Sequence, residues 1–207
     1  MTVLAIETSN ARGSIAVVRD GAVLFERTFT SERSHNSQLF APLGEALAAC
    51  GDDLQLIAVG LGPGSYTGVR IGIAAAQGLS VSRRVPVVGL PSVLAPDVAE
   101  LPDAFVVCGD ARRGSYFMAD VGNAQLRSEI QLLNAEDILL RRKASEQTKW
   151  FTFDDKVPLL LPDVLLAKPS AVRLARLAQL PSVCTPHTAL EPIYLAGAFI
   201  TQPKKRE

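Results

Sequence analysis

The chain has 207 residues, which is enough for one or two domains with a sizeable core. Hydrophobic residues make up 48% of it and charged residues 20%, and this composition excludes wholesale disorder. The 21 basic and 21 acidic residues give a formal net charge of zero. Proteins that bind RNA or DNA by themselves usually carry an excess of basic residues, so we expect this chain to contact nucleic acid only together with a partner.

The cysteines and the N-terminus bear on cellular location. The three cysteines form no Cys-x-x-Cys pair, and so sparse a set favours a reducing cytosol over a disulfide framework. The first ten residues lack the basic segment of a signal peptide, and no apolar run reaches the ~18 residues of a membrane helix. We therefore expect a soluble, cytoplasmic protein that does not engage a membrane.

The first half of the chain mixes strand and helix patterns. Asp20-Gly21 is a hairpin turn signal between two apolar runs, and Gly51 is placed to end a helix that begins near Ser34. The predicted strands are Val3–Glu7, Ser14–Val18, Ala22–Phe29, Gln55–Gly60 and Val85–Gly89, and the predicted helices are Ser34–Cys50 and Tyr66–Ser82.

The second half begins with the same pattern as the first. Asn10–Ser14 and Asp110–Ser115 each follow an apolar run and enter another strand, about 100 residues apart. We therefore predict two lobes of one topology, residues 1–100 and residues 101–207. The second lobe is predicted to contain strands over Ala104–Cys108 and Trp150–Phe153, and helices over Glu136–Arg142 and Ala171–Gln179.

The two helices of the first half carry almost no charge. Glu45 is the only charged residue in Ser34–Cys50, and Arg70 is the only one in Tyr66–Ser82. Tyr66–Ser82 is apolar around its whole circumference, a pattern typical of a helix buried on all sides. We expect Gly72 to lie where this helix meets a neighbouring helix, within the protein or across the interface. A lobe of about 100 residues can hardly cover two such helices, so we predict that they form a protein–protein interface. Leu39, Phe40, Leu43, Ala46, Leu47 and Cys50 are expected to form the core stripe of the first helix.

The glycine-rich loop Gly60–Gly68 lies between a strand and a helix, where anions can bind. It matches neither a Walker A loop nor Gly-x-Gly-x-x-Gly, so we interpret it as a turn that lets the helix pack closely, with phosphate binding as the alternative. The turns Thr8–Gly13 and Asp110–Gly114 could each bind a phosphate between two lobes. A nucleotide site of this kind also needs a glycine-rich loop for adenosine in the second lobe, and none is expected, because 14 of the 15 glycines occur by Gly122.

Other chemistry has little support in the sequence. The two histidines, His35 and His187, are far apart, and no metal-binding spacing occurs. Neither Gly-x-Ser-x-Gly nor a Cys–His signature is present. Asp110 is the best-placed lone carboxylate, and the first position of a turn is its simplest role. We therefore predict no catalytic residue, no metal and no cofactor.

Four segments carry a resemblance to a known family. Leu4–Ser9, Gly62–Gly72, Asp110–Arg113 and Glu191–Leu195 occur in the order found in the TsaB (YeaZ) family of bacterial tRNA threonylcarbamoyladenosine biosynthesis proteins, and the resemblance covers nearly the whole chain. It implies an α/β fold of two RNase H-like lobes, the second reduced, in the actin/Hsp70/sugar-kinase (ASKHA) superfamily.

The resemblance also implies a function. Members of this family are non-catalytic partners of TsaD, which forms N6-threonylcarbamoyladenosine at position 37 of tRNAs. The ATPase TsaE joins the TsaB–TsaD pair, the protein self-associates when alone, and tRNA is met only through the complex. A weak standalone ATPase or a peptidase is the alternative.

The contact of such a family member with TsaD uses the two charge-poor helices. The predicted contact residues are His35, Gln38, Leu39, Ala41, Gly44, Glu45, Ala48, Tyr66, Val69, Arg70, Gly72, Ile73 and Gln77. Thr8, Ser9, Gly13 and Asp110 are predicted to be a vestigial phosphate site. The chain departs from the family pattern at Glu7, Gly114 and Ala196, and these departures weaken any nucleotide site.

Overall fold

The computed structural model describes residues 1–30, 35–183 and 190–195, with the backbone alone for residues 35–37, and contains two β-sheets flanked by helices. The strands are β1 (Thr2–Glu7), β2 (Arg12–Arg19), β3 (Ala22–Thr30), β4 (Leu54–Gly60), β5 (Val87–Leu90), β6 (Ala104–Arg112), β7 (Ser115–Gly122), β8 (Gln125–Leu126), β9 (Gln131–Leu133), β10 (Lys149–Thr152) and β11 (Leu165–Leu166). The helices are α1 (His35–Cys50), α2 (Tyr66–Arg83), α3 (Ala135–Ala144) and α4 (Ala171–Leu177), with a 3₁₀ turn at Ser92–Leu94.

The two sheets share one pattern of strand directions. The first has the order β3-β2-β1-β4-β5, in which β1 to β3 are antiparallel neighbours and β1, β4 and β5 run parallel. The second has the order β11-β10-β6-β7-β8, again with an antiparallel hairpin followed by parallel strands. The predicted α/β class and the shared topology of the two halves are confirmed.

Local sequence signals explain where the elements begin and end. Asp20 and Gly21 both have positive φ, as a tight hairpin turn requires, and Gly51 ends α1 with φ of +57°. The Ser65 hydroxyl accepts a hydrogen bond from the Gly68 N–H and caps α2. The predicted cap at Ser34 lies outside the described residues.

Each face of the first sheet has its own hydrophobic core, because side chains alternate along a strand. Leu4 and Ile6 pack with α1 and α2 on one face. Val3 and Ala5 pack with α4 on the opposite face. Helix α4 comes from the second half of the sequence and yet belongs to the core of the first sheet, and the predicted division at residue 100 stays a prediction.

The second sheet carries fewer helices. Its strands form two further cores, of which one includes Ile138 of α3 and the indole of Trp150, while the other is built around Phe105 and Phe151. We call the first sheet with α1, α2 and α4 the first lobe, and the second sheet with α3 the second lobe. Within the described residues, no helix is long and apolar enough to cross a membrane.

Candidate interaction surface and interlobe cleft

Helix α1 buries a narrow stripe against the first sheet. Leu39, Leu43, Ala46 and Cys50 are buried, as predicted. Phe40 is a correction, since 58% of its surface is exposed. It follows Leu39 by one position and is therefore turned about 100° away from the residue that points at the sheet.

Helix α2 is buried on one side only. Val69, Ile73 and Ala76 face the first sheet, whereas Gln77 and Gly78 are exposed. The lobe therefore covers only the face of α2 that packs on its strands, and burial of the remaining side by a partner stays a prediction.

Gly72 packs against a strand and not against a helix. A Cβ at this position would overlap Thr8 Oγ1 and would lie 3.6 Å from Ile6 Cγ2. The expectation that Gly72 marks a helix–helix crossing is therefore wrong. A glycine is needed here because α2 crosses directly over the end of β1.

An apolar groove of about 600 Å³ runs between the outer sides of α1 and α2. We call it the α1–α2 groove, and none of the described residues that line it is charged. A Cβ added at Gly44 or at Gly78 would meet nothing within 4 Å, so both glycines leave open space in the groove. Its lining residues are Phe40, Leu43, Gly44, Leu47, Ile71, Ala74, Ala75, Gly78 and Leu79.

Polar side chains are exposed on the same two helices. Tyr66 is 56% exposed and stacks on Tyr194 with ring centroids 5.3 Å apart, while the Arg70 guanidinium lies 5.0 Å from the Tyr66 ring. On α1, Glu45 pairs with Arg27 of β3 at 2.8 Å. Tyr66 and Arg70 both belong to the predicted contact set, whereas Tyr194 does not, because a contact between residues 128 positions apart leaves no local pattern.

The predicted contact residues divide by exposure. Leu39, Val69, Gly72 and Ile73 are buried in the first lobe and have almost no surface to offer a partner, which argues against their assignment as contact residues. The side chain of His35 lies outside the described residues. The exposed members are Gln38, Ala41, Gly44, Glu45, Ala48, Tyr66, Arg70 and Gln77.

A cleft of about 640 Å³ separates the two lobes. The segment 193–195 crosses it: the Ile193 N–H donates to the Leu61 carbonyl at 2.8 Å, Ile193 packs in the first-lobe core and Leu195 in the second-lobe core. The cleft is lined by Ser9, Asn10, Ala11, Pro63, Gly64, Ser65, Tyr66, Thr67, Asp110, Ala111, Arg112, Phe117, Phe153, Asp154, Asp155, Ile193, Tyr194 and Leu195.

The structure brings only two of the four predicted phosphate-site residues into this cleft. Ser9 and Asp110 line it. The Thr8 hydroxyl is turned away and donates to the Gly68 carbonyl at 2.8 Å. Gly13 lies beneath the Phe29 ring, where a Cβ would come within 2.6 Å of Cζ. Thr8 and Gly13 therefore support the backbone near the cleft without facing it.

Asp110 has the turn role that its position suggested. Its Oδ1 accepts a hydrogen bond from the Arg112 N–H at 2.6 Å, and its own N–H donates to Asp154 Oδ2 at 3.0 Å. Asp155 also lines the cleft and is paired with Lys168 at 2.8 Å. Asp110, Asp154 and Asp155 thus bring three carboxylates to the cleft, against the cations of Arg112 and Lys168.

The two described cysteines are unreactive thiols. Burial raises the pKa of Cys50 to about 11 and that of Cys108 to about 12, so both stay protonated at neutral pH. Over residues 1–30, 35–183 and 190–195, no group of three His, Cys, Asp or Glu side chains is arranged to hold a metal ion.

Comparison with known proteins agrees with the fold. The family described as tRNA N6-adenosine threonylcarbamoyltransferase (TsaD) matches residues 24–140. A TsaB of Haemophilus influenzae is 29% identical over 94% of this chain and 93% of its own length. A TsaB of Bacillus subtilis is 35% identical over 56% of this chain and 53% of its own. The structure of YeaZ from Pseudomonas aeruginosa superposes with a TM-score of 0.70 at 25% identity, covering 94% of this chain and 99% of that one.

Proposed function

Because the chain belongs to the family described as tRNA N6-adenosine threonylcarbamoyltransferase (TsaD) and resembles TsaB over nearly its whole length, we propose that it takes part in tRNA threonylcarbamoyladenosine biosynthesis. Its proposed role there is that of a non-catalytic subunit. In this proposal it binds a TsaD protein and holds it in an active arrangement for forming N6-threonylcarbamoyladenosine at position 37 of tRNAs. The observation that carries the proposal is the exposed, uncharged α1–α2 groove.

The groove has the chemistry of a protein contact. Phe40 exposes more than half of its surface, and covering such a side chain contributes about 1.5–3 kcal/mol. Gly44 and Gly78 leave room for a partner backbone, and closely packed helix axes approach to about 8 Å only where small residues lie at the crossing. A pair of helices from a second protein fits these requirements.

Polar groups on the same helices supply selectivity. Tyr66, Arg70, Gln77 and Glu45 are exposed on α1 and α2, and interfaces commonly combine an apolar centre with a rim of this kind. Tyr and Arg are also the residues that contribute most often to binding energy at such contacts. The α1–α2 groove thus supplies the apolar centre, and the exposed polar members of the predicted contact set supply the rim.

The remaining partners follow from the same surface and from the charge of the chain. A single face of this kind accepts one partner at a time, so we propose a homodimer when the chain is alone and a heterodimer when TsaD is present. TsaE is proposed to join the pair and not the isolated chain. With 21 basic and 21 acidic residues, the chain is expected to meet tRNA only within the complex.

A pull-down with the TsaD protein of the source organism tests this proposal. Phe40→Asp places a carboxylate in the α1–α2 groove, and Leu140→Asp on α3 is the matched control because the two side chains are 58% and 60% exposed. We expect Phe40→Asp to abolish TsaD capture and self-association, and Leu140→Asp to leave both intact.

Two results would contradict the proposal. One is TsaD capture that Phe40→Asp leaves unchanged. The other is turnover by the pure chain, either peptide cleavage or ATP hydrolysis at an ordinary rate of about 1–10³ per second, that is lost in Asp110→Ala. In the second case the interlobe cleft and not the groove would be the functional site.

A further inference from the structure

A fully buried carboxyl group lies where three loops meet at one edge of the first sheet. Glu7 is the last residue of β1 and has 0% exposure. The strands β1, β4 and β5 run parallel, so the segments that follow them leave the sheet at the same edge. These segments are residues 8–11, residues 61–65 and the 3₁₀ turn Ser92–Leu94.

The carboxyl binds the first segment directly and lies beside Gly60, the last residue of β4, which leads into the second segment. Glu7 Oε1 accepts a hydrogen bond from the Ser9 N–H at 2.6 Å in the first segment. Glu7 Oε2 lies against the α-carbon of Gly60, where a Cβ would overlap it and would lie 2.7 Å from Ser92 Oγ. The 3₁₀ turn is tied to the second segment, because Ser92 exchanges hydrogen bonds of 2.7 and 3.1 Å with the backbone of Gly62.

The same segments form part of the wall of the interlobe cleft. The Ser65 N–H, at the start of α2, donates to the Ser9 carbonyl at 2.6 Å, and both residues line the cleft. The position of Ser9 is thus fixed from one side by Glu7 and from the other by the N-cap of α2. Ser9 therefore links the Glu7 carboxyl to the wall of the cleft.

We propose that Glu7 is a neutral carboxylic acid in the folded chain and a proton-linked lock on this wall of the cleft, so that release of its proton to solvent loosens residues 8–11 and 61–65. Its neutral form suits the geometry, because Oε2 has no hydrogen-bond partner among the described residues and a buried charge there would be unpaired. The groups against it are Ser14 across the β1–β2 ladder, Thr8, Ser9, Gly60 and Ser92, all uncharged.

The electrostatics agree with this geometry. Burial raises the pKa of Glu7 above its ordinary value of 4.5, and hydrogen bonding by Ser9, Ser92 and Thr8 offsets only part of the rise. Although the Ser92 hydroxyl is near enough to lower the pKa, it makes no hydrogen bond of normal geometry with Oε2. No charged side chain contributes to the shift among the described residues.

The sign of the linkage follows directly. Above pH 4.5 the unfolded chain gives up this proton while the folded chain keeps it, so rising pH favours unfolding until the folded pKa is passed. Between these two pKa values the unfolding equilibrium constant of the natural chain rises by up to about tenfold per pH unit relative to a variant that cannot ionise at this position.

Glu7→Gln is the variant that tests the proposal, since glutamine keeps the shape and the neutrality of the protonated acid. Urea unfolding is measured for both chains from pH 4.5 to pH 8. We expect the natural chain to lose stability relative to Glu7→Gln as pH rises. Glu26→Gln, which removes an exposed carboxylate on β3, is the control and is expected to parallel the natural chain. A stability difference between the natural chain and Glu7→Gln that is constant with pH, or that changes in the opposite direction, overturns the proposal.

A second readout separates a local lock from a general loss of stability. Amide exchange at Ser9 and Ser65 is expected to accelerate with pH in the natural chain beyond its acceleration in Glu7→Gln, ahead of exchange in the centre of the sheet. Uniform acceleration over the whole sheet contradicts a lock on the cleft wall. If Glu7→Gln does not fold, carbon-13 NMR titration of the glutamate carboxyls of the natural chain decides. We expect one carboxyl to titrate clearly above 4.5, and the proposal fails if all of them titrate near 4.5.

Discussion

A charge placed on the exposed side of α1 tests the proposed contact surface most directly. Ala48 is exposed and lies one helical turn after Gly44, a residue that lines the α1–α2 groove, so a longer side chain there points to solvent beside the groove and not into the core. Ala48→Glu is expected to change the unfolding free energy of the monomer by no more than about 0.5 kcal/mol, the usual range for surface substitutions. A larger loss would mean that Ala48 belongs to the core.

The same substitution has a much larger effect at a contact. Burying a carboxylate without a counter-ion costs several kcal/mol, and each 1.4 kcal/mol is a tenfold change in affinity. A cost of about 3 kcal/mol therefore weakens association roughly 100-fold. Ala48→Glu should thus dissociate both the self-associated form and the complex with TsaD at micromolar concentrations.

A second alanine provides the control for this experiment. Ala144 is exposed in the last turn of α3, so Ala144→Glu adds the same carboxylate near a helix C-terminus in the second lobe and carries the same dipole penalty. Association is measured by analytical ultracentrifugation and by TsaD pull-down, with circular dichroism to confirm folding. Equal association by the two variants would refute the assignment of this helix face.

Three further outcomes are expected. Gly72→Ala should lower the free energy of unfolding of the monomer, measured in urea, by about 1–3 kcal/mol, because the alanine Cβ displaces the Thr8 hydroxyl from the hydrogen bond that Thr8 donates to Gly68. Unchanged stability would contradict the packing of α2 on β1. Gly78→Ala should raise stability by about 0.5–1 kcal/mol, since its Cβ meets only open space in a helix interior, and a loss would mean that this side of α2 is covered within the chain. The isolated chain should bind tRNA weakly in a filter-binding assay, and tight, salt-sensitive binding would contradict the neutral charge argument.

Local patterns predicted the elements well. The turn at Asp20-Gly21 and the helix stop at Gly51 depend only on backbone preferences that neighbouring residues determine, and both lie where the sequence placed them. The lack of charge on α1 and α2 likewise identified the two helices that carry an exposed apolar groove. These features are readable because each depends on a short window of sequence.

Features that depend on distant residues could not be read in this way. Gly72 was expected against a helix because glycine spacing shows that something approaches closely, but not what approaches; the neighbour is Thr8, 64 positions earlier. For Glu7 the sequence indicates only a departure from the family pattern that weakens a nucleotide site, while the structure shows it packed beside Gly60 and Ser92. Such assignments require the arrangement of the strands, which sequence periodicity does not supply.

The placement of α4 has a consequence for how the chain is made. The face of the first sheet that carries Val3 and Ala5 is covered by residues 171–178, and the Ala171 N–H donates to the Ser14 hydroxyl at 3.0 Å across 157 positions. During synthesis, the ribosome must therefore complete most of the protein before this face can be closed. A nascent chain ending near residue 100 presents an uncovered apolar surface, which is the kind of surface that chaperones bind.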